Sequence, residues 1–203
     1  MISKEERTQM DALSKLFTEG VKSSAEVLTQ MLGADIHFEI PVIERFDPDG
    51  IQKEINAEET FTVVEMRFNG RLKGNTGLFI DEASAWKFVE QVAGDDTGSG
   101  QFDFISAGVL TEIGNIVLNR VMGAISNALS LSLDYVVPNF YQGDVTRLWN
   151  SETTQQLSTM TGLVAHTRFE MSDISTDGHI VVFFEKESFQ SLIEQIEEWQ
   201  SAS

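Results

Sequence analysis

Residues 112–138, EIGNIVLNRVMGAISNALSLSLDYVVP, read as one long helix running into a strand, and they set Glu112 and Asn115 three residues apart. Residues at that spacing are neighbours on a helix surface. A carboxylate and a carboxamide therefore stand side by side, and a carboxamide can both accept a hydrogen bond from a water and donate one to it. Projecting Phe102–Leu131 at about 100° per residue gathers Val109, Ile113, Ile116, Val117, Val121, Ala124 and Ala128 into an apolar arc. Gly108, Glu112, Asn115, Asn119 and Ser126 fall on roughly the opposite side, while Arg120 and Asn127 fit the projection poorly. The pair is thus presented to solvent or to a partner. Polar residues on the outer face of a helix are ordinary; what sets this pair apart is Pro138. Glu, two residues, Asn, twenty-two residues, Pro is a pattern that chance would produce in a chain this long with a probability of about 2%, at roughly 5% usage per fixed residue.

The elements that must position the pair can be traced along the chain. Lys4–Leu32 reads as an amphipathic helix, with Leu13, Leu16, Phe17, Val27 and Met31 on one side and Lys15, Thr18, Lys22 and Glu26 on the other. Gly33 is its stop, and ADIHFEIPVI (34–43) reads as a strand that Pro41 confines to an edge or a strand end. DPDG at 47–50 is a turn. FTVVEMRF and RLKGNTGLFI flank Asn69-Gly70, the strongest hairpin signal in the chain. EASAWKFVEQVAG then has helical spacing up to Gly94, and the polar GDDTGSG (94–100) separates two halves.

After that boundary the order recurs. Phe102–Leu131 is helical, LDYVVPNF is a strand with a proline, TMTGLVAHTRFEMS and GHIVVFFE form a strand pair, and ESFQSLIEQIEEWQ is a closing helix. An offset of 97 superposes Leu13 on Leu110, Leu16 on Ile113, Leu32 on Leu129 and Pro41 on Pro138. An offset of 104 superposes LFIDEASAWKFVEQV on VFFEKESFQSLIEQI, so the second half carries seven extra residues, expected in YQGDVTRLWNSETTQQ. A duplication explains both alignments. The expected fold is α+β: one domain over residues 1–203, with repeats at about 4–94 and 101–200 sharing one mainly antiparallel sheet and two long motif-bearing helices packed on a face.

Composition removes several function classes. With 14 basic and 32 acidic residues the net charge is −18, which opposes binding to nucleic acid or to anionic lipid surfaces. The absence of cysteine excludes disulfides and thiolate chemistry. MISKEERTQM lacks the apolar segment of a signal peptide and no run of about 20 apolar residues occurs, so a cytoplasmic location is expected. His37, His166 and His179 have no ligand spacing, DPDG and GDDTGSG lack the calcium-loop pattern, and no GxSxG is present. No metal site is expected on this chain.

The motif resembles that of the CheC/CheX/FliY phosphatases of bacterial chemotaxis, whose signature is Asp or Ser, three residues, Glu, two residues, Asn, twenty-two residues, Pro, and which in CheC-type members occurs twice in one duplicated chain. Here Glu112, Asn115 and Pro138 match, while Gly108 stands at the first position; in the other copy Asp11 and Pro41 match, while Lys15 and Thr18 replace the glutamate and asparagine. Lysine reverses the charge and threonine lacks the carboxamide, so a single working centre is expected.

The resemblance implies hydrolysis of the aspartyl-phosphate of a CheY-like response regulator. Asn115 would hold a water in line with phosphorus, and Glu112 would pair with the regulator's lysine. Positioning and charge stabilisation dominate phosphoryl transfer, so this chain would need no covalent step and no cofactor. Mg²⁺ would sit in the regulator's own acidic pocket. A CheD-like protein is a further partner the resemblance suggests, and the internal duplication favours a monomer. The competing expectation is a non-catalytic docking module that binds a response regulator or a flagellar switch component, like the related middle domain of flagellar switch proteins.

Overall fold

The structure, a computed structural model, describes residues 4–47, 50, 60–93, 104–143, 160–171 and 174–202. In chain order the elements are α1 (Lys4–Leu32), β1 (Ile36–Phe46), β2 (Phe61–Gly70), β3 (Gly74–Asp81), α2 (Glu82–Ala93), α3 (Phe104–Ala128), β4 (Leu133–Tyr135), β5 (Asn139–Gly143), β6 (Met160–Met171), β7 (Ile174–Glu185) and α4 (Lys186–Ala202). The seven strands form one antiparallel sheet in the order β1-β6-β7-β3-β2-β4, with β5 also paired to β2. The α+β class and the single shared sheet are as expected. Side chains of all four helices join one cluster with a single face of the sheet, from Leu13 and Phe17 of α1 to Leu192 and Ile196 of α4. A second cluster, including Phe46, Phe61, Phe79, Val181 and Phe183, occupies the opposite face.

The repeat is visible in the pairing. β3 and β7 lie at the centre with Gly77 opposite Val181, and 77 and 181 are 104 apart, so the point where the sheet maps onto itself is where the sequence repeat places it. The outer strands cross over between halves: β1 pairs with β6, while β4 and β5 pair with β2. Each half therefore completes the other's sheet.

Pro41 and Pro138 sit at faults in the two outer strands. The register of β1 against β6 shifts between Glu39 and Val42, around Pro41. Pro138 lies between β4 and β5, so LDYVVPNF is two short strands instead of one. A proline has no N–H to give to the ladder, which confines it to edges and irregularities. Other boundaries also differ in detail. β2 and β3 are adjacent as expected, but Asn69 and Gly70 stay in the strand, opposite Asp134 and Leu133, and the chain reverses at 71–73. Gly70 adopts φ 122°, and a Cβ there would lie 2.5 Å from the Ser132 carbonyl oxygen. α1 ends where Gly33 takes φ 67° and its N–H bonds to Thr29 O at 2.9 Å. The Gly50 N–H closes the DPDG turn on Asp47 O at 2.6 Å.

Of the seven extra residues in the second half, five are found in the β6–β7 hairpin. Ten residues separate the paired Thr167 and Gly178, against five between the equivalent Phe68 and Gly74. Gly94 and the remainder of GDDTGSG, together with 144–159, lie outside the described residues.

Candidate functional site

Helix α3 carries the motif, and two close approaches set its place. Gly114 lies directly on Val64 of β2, where a Cβ would overlap the valine side chain. At the crossing of the two long helices, a Cβ on Gly20 of α1 would lie 2.5 Å from the Val121 Cα. Asn115 follows Gly114, so the depth at which the motif sits above the sheet is fixed by a residue without a side chain. Neither glycine stands out in the helical projection, which weighs apolar residues and gives glycine no vote.

The buried face of α3 comprises Leu110, Ile113, Gly114, Val117, Leu118, Val121, Met122 and Ile125, with Ser106 and Ser126. It is rotated from the projected arc, because α3 packs against both α1 and the sheet. Arg120 and Asn127 are exposed, which removes their misfit, and Ser126 is buried instead of facing outward. Glu112 is exposed as expected, whereas Asn115 and Asn119 are half-buried at the margin of the packed face. Glu112 has no hydrogen bond or ion pair among the described residues.

Asn115 is held by its neighbour one turn on. The Asn119 Nδ2 donates both to the Asn115 backbone oxygen at 2.9 Å and to the Asn115 Oδ1 at 2.6 Å. Asn115, Asn119 and Ser126 form a stripe at spacings of four and seven, and Ser126 faces the hydroxyl of Tyr135 in β4, whose pKa burial raises and Ser126 partly restores. The stripe thus runs on the flank of α3 toward the edge strand that Pro138 interrupts. Pro138 itself is half-buried. Gly108 is exposed, with open space where a side chain would project.

The first copy repeats the placement with other chemistry. Asp11 and Lys15 are exposed and Thr18 is half-buried, matching Gly108, Glu112 and Asn115 in turn. The Thr18 Oγ1 donates to Ser14 O at 2.7 Å and is spent inside its own helix. Lys22, the counterpart of Asn119, is exposed.

The three histidines all lie in strands. His37 is exposed beside Asp35 at 3.3 Å, while His166 and His179 face each other across β6 and β7 with their Nδ1 atoms 3.1 Å apart. That pairing depends on strand register and has no signature in the spacing of the two residues. Burial, with the charge of His166 second, lowers the pKa of His179 to about 4. Among the described residues no group of three or more His, Asp or Glu is arranged to hold a metal ion, and no helix is long and apolar enough to cross a membrane.

No family model and no curated protein matches this sequence. Solved structures do match. FliY from Thermotoga maritima is 14% identical with a TM-score of 0.75, over 98% of this chain and 100% of that one. The FliM middle domain from H. pylori is 11% identical with a TM-score of 0.66, over 96% and 99%. A chain of the CheX–CheY–BeF3–Mg²⁺ complex from Borrelia burgdorferi is 18% identical with a TM-score of 0.53, over 84% and 96%. At these identities the likeness is one of fold: the chain has the fold shared by the CheC/CheX/FliY proteins and the FliM middle domain.

Proposed function

We propose that this protein is a phosphatase for the aspartyl-phosphate of a CheY-like response regulator, acting through the single intact copy of its motif. The observation that carries the reading is the arrangement on α3: Glu112 exposed without a partner among the described residues, and Asn115 one turn on with its carboxamide held in place by Asn119. In this reading α3 enters the regulator's phosphorylation pocket. The Glu112 carboxylate pairs with the regulator's phosphate-binding lysine, and the Asn115 carboxamide places a water in line with phosphorus. The gain is one of positioning. This chain supplies no covalent intermediate and no metal. Mg²⁺ in this reading is held by the regulator; the CheX–CheY complex named above contains the ion. The reading places the protein in the cytoplasm, where such regulators work.

The second reading is a docking module for a regulator or a flagellar switch component. The fold that this chain shares with the FliM middle domain supports it. Phosphate release from a phosphorylated CheY-type regulator separates the two. The phosphatase reading requires release faster with the protein than without it, at substoichiometric amounts; a stable complex with unaccelerated release selects docking.

A further inference from the structure

The bond between Asn119 and Asn115 goes beyond what the Glu-x-x-Asn motif requires. Asn119 lies four residues after Asn115, one turn C-terminal, and its Nδ2 reaches both oxygens of that residue, the backbone carbonyl at 2.9 Å and Oδ1 at 2.6 Å. A donor that spans the main-chain and side-chain oxygens of one residue fixes χ1 and the plane of the carboxamide together. With Oδ1 turned toward Asn119, the Asn115 Nδ2 points the other way, and it has no protein partner among the described residues. One lone pair of Oδ1 also stays unused, since a carbonyl oxygen has two.

A water held by this carboxamide needs both groups. Nδ2–H donates to one of its lone pairs, the remaining Oδ1 lone pair accepts one of its protons, and its second lone pair is left to face an electrophile. Unpinned, the carboxamide would rotate about χ2, a broad and roughly twofold torsion, and would present donor and acceptor interchanged for much of the time. The degenerate copy lacks the device as well as the motif: Lys22 stands where Asn119 does, and Thr18 turns back to Ser14 O.

We infer that Asn119 is a positioning residue, which orients the Asn115 carboxamide and so sets the water-holding geometry; the catalytic consequence rests on the phosphatase reading above. Asn119→Ala replaces asparagine by a better helix former on a helix otherwise kept, so the fold is retained. Phosphate release from a phosphorylated CheY-type regulator is expected to fall about tenfold in kcat, equivalent to about 1.4 kcal/mol, with KM within twofold. Asn119→Asp is expected to lose at least as much, because a carboxylate only accepts and turns the Asn115 Nδ2 toward itself. In an Asn115→Ala background, Asn119→Ala should change the residual rate less than twofold, the non-additivity expected of residues that act as a unit.

A second measurement reads the geometry without turnover. The ¹⁵N relaxation order parameter of the Asn115 side-chain amide is expected in the rigid range near 0.85 in the wild type and below about 0.6 in Asn119→Ala. An order parameter unchanged by Asn119→Ala overturns the inference, as does a kcat within twofold of wild type or an additive double variant. If the wild-type protein accelerates no phosphate release, the phosphatase reading falls, and the order parameter alone then supports or overturns the orienting role of Asn119.

Discussion

Helices α1 and α3 are the same object built twice, and they differ where it counts for chemistry. They cross at Gly20 and Val121, and residues aligned at an offset of 97 have matching exposure along the motif face: Asp11 with Gly108, Lys15 with Glu112, Thr18 with Asn115. The packed face matches too, since Leu13 and Leu110, Leu16 and Ile113, Val21 and Leu118, and Leu28 and Ile125 are all buried. One exchange breaks the packing symmetry. Phe17 of α1, fully buried, aligns with Gly114 of α3, so one helix rests on an aromatic ring while the other lies directly on Val64. A fold can thus be kept in duplicate while the Glu-x-x-Asn pair stands in one copy only. Function resides in the site and not in the scaffold.

The largest expected effect comes from that packing exchange. Phe17→Ala leaves a cavity under α1 and should cost about 4 kcal/mol of stability, read as a lower urea midpoint. The next effect is on the motif itself. Asn115→Ala should reduce phosphate release about a hundredfold, the loss of a water-positioning contribution, with an unchanged unfolding midpoint; Thr18→Ala at the matching place should change release less than twofold. Equal losses from the two variants would mean that both faces work, and no loss from Asn115→Ala would end the phosphatase mechanism. Gly114→Ala fails in the opposite sense to Phe17→Ala, by overpacking against a rigid valine, and should cost about 2 kcal/mol. If it left the urea midpoint unchanged, the close seat of α3 on β2 would not be what holds the motif.

How far this was legible in the sequence depends on the element. The limits of α1 could be read directly, because an amphipathic stripe ends on a glycine. The buried face of α3 could not, because a helix packed against both a helix and a sheet is apolar over most of its circumference, and three of its buried positions are Ser106, Gly114 and Ser126. Pro41 and Pro138 announced outer strands, yet only the register shows that each marks a fault there. Asn69-Gly70 marked a real hairpin and the wrong turn residues, since pairing with Leu133 and Asp134 extends β2 through them. That Glu112 and Asn115 sit one turn apart on a single helix was legible from spacing. The hold of Asn119 on Asn115 was not, because spacing allows that contact without deciding which way a side chain turns.

The hairpins offer a second comparison, with a smaller effect. Arg67 opposite Asn75 in β2–β3 corresponds to His166 opposite His179 in β6–β7. The folded-state pKa of His179 is lowered to about 4, by burial first, then by His166, against the opposing pull of Asp177; Glu44 stands 3.7 Å from the Nε2 of His166. Above pH 6.5 the ring is neutral in folded and unfolded chains alike. As pH falls from 6.5 toward 4, the unfolded chain binds a proton that the folded one does not, so stability declines across that window, by about 1 kcal/mol between pH 7 and 5.5. His179→Gln should flatten this part of the stability profile, whereas Asn75→Ala should leave it unaltered. A slope that persisted in His179→Gln would place the proton uptake elsewhere.

The smallest expected effect concerns the first motif position, where the degenerate copy keeps the acidic Asp11 and the intact copy has Gly108. A Cβ at Gly108 would meet nothing within 4 Å, so Gly108→Ser introduces no clash. It should raise stability by about 0.5 kcal/mol, because glycine in a helix surrenders more backbone freedom on folding than other residues do. Its side chain would project one turn N-terminal to Glu112, away from the Asn115–Asn119 bond. Phosphate release should therefore stay within twofold of wild type. A larger rise in release would show that the glycine had weakened the surviving site, and would carry the asymmetry of the two copies one step further, from a single lost centre to one lost and one attenuated.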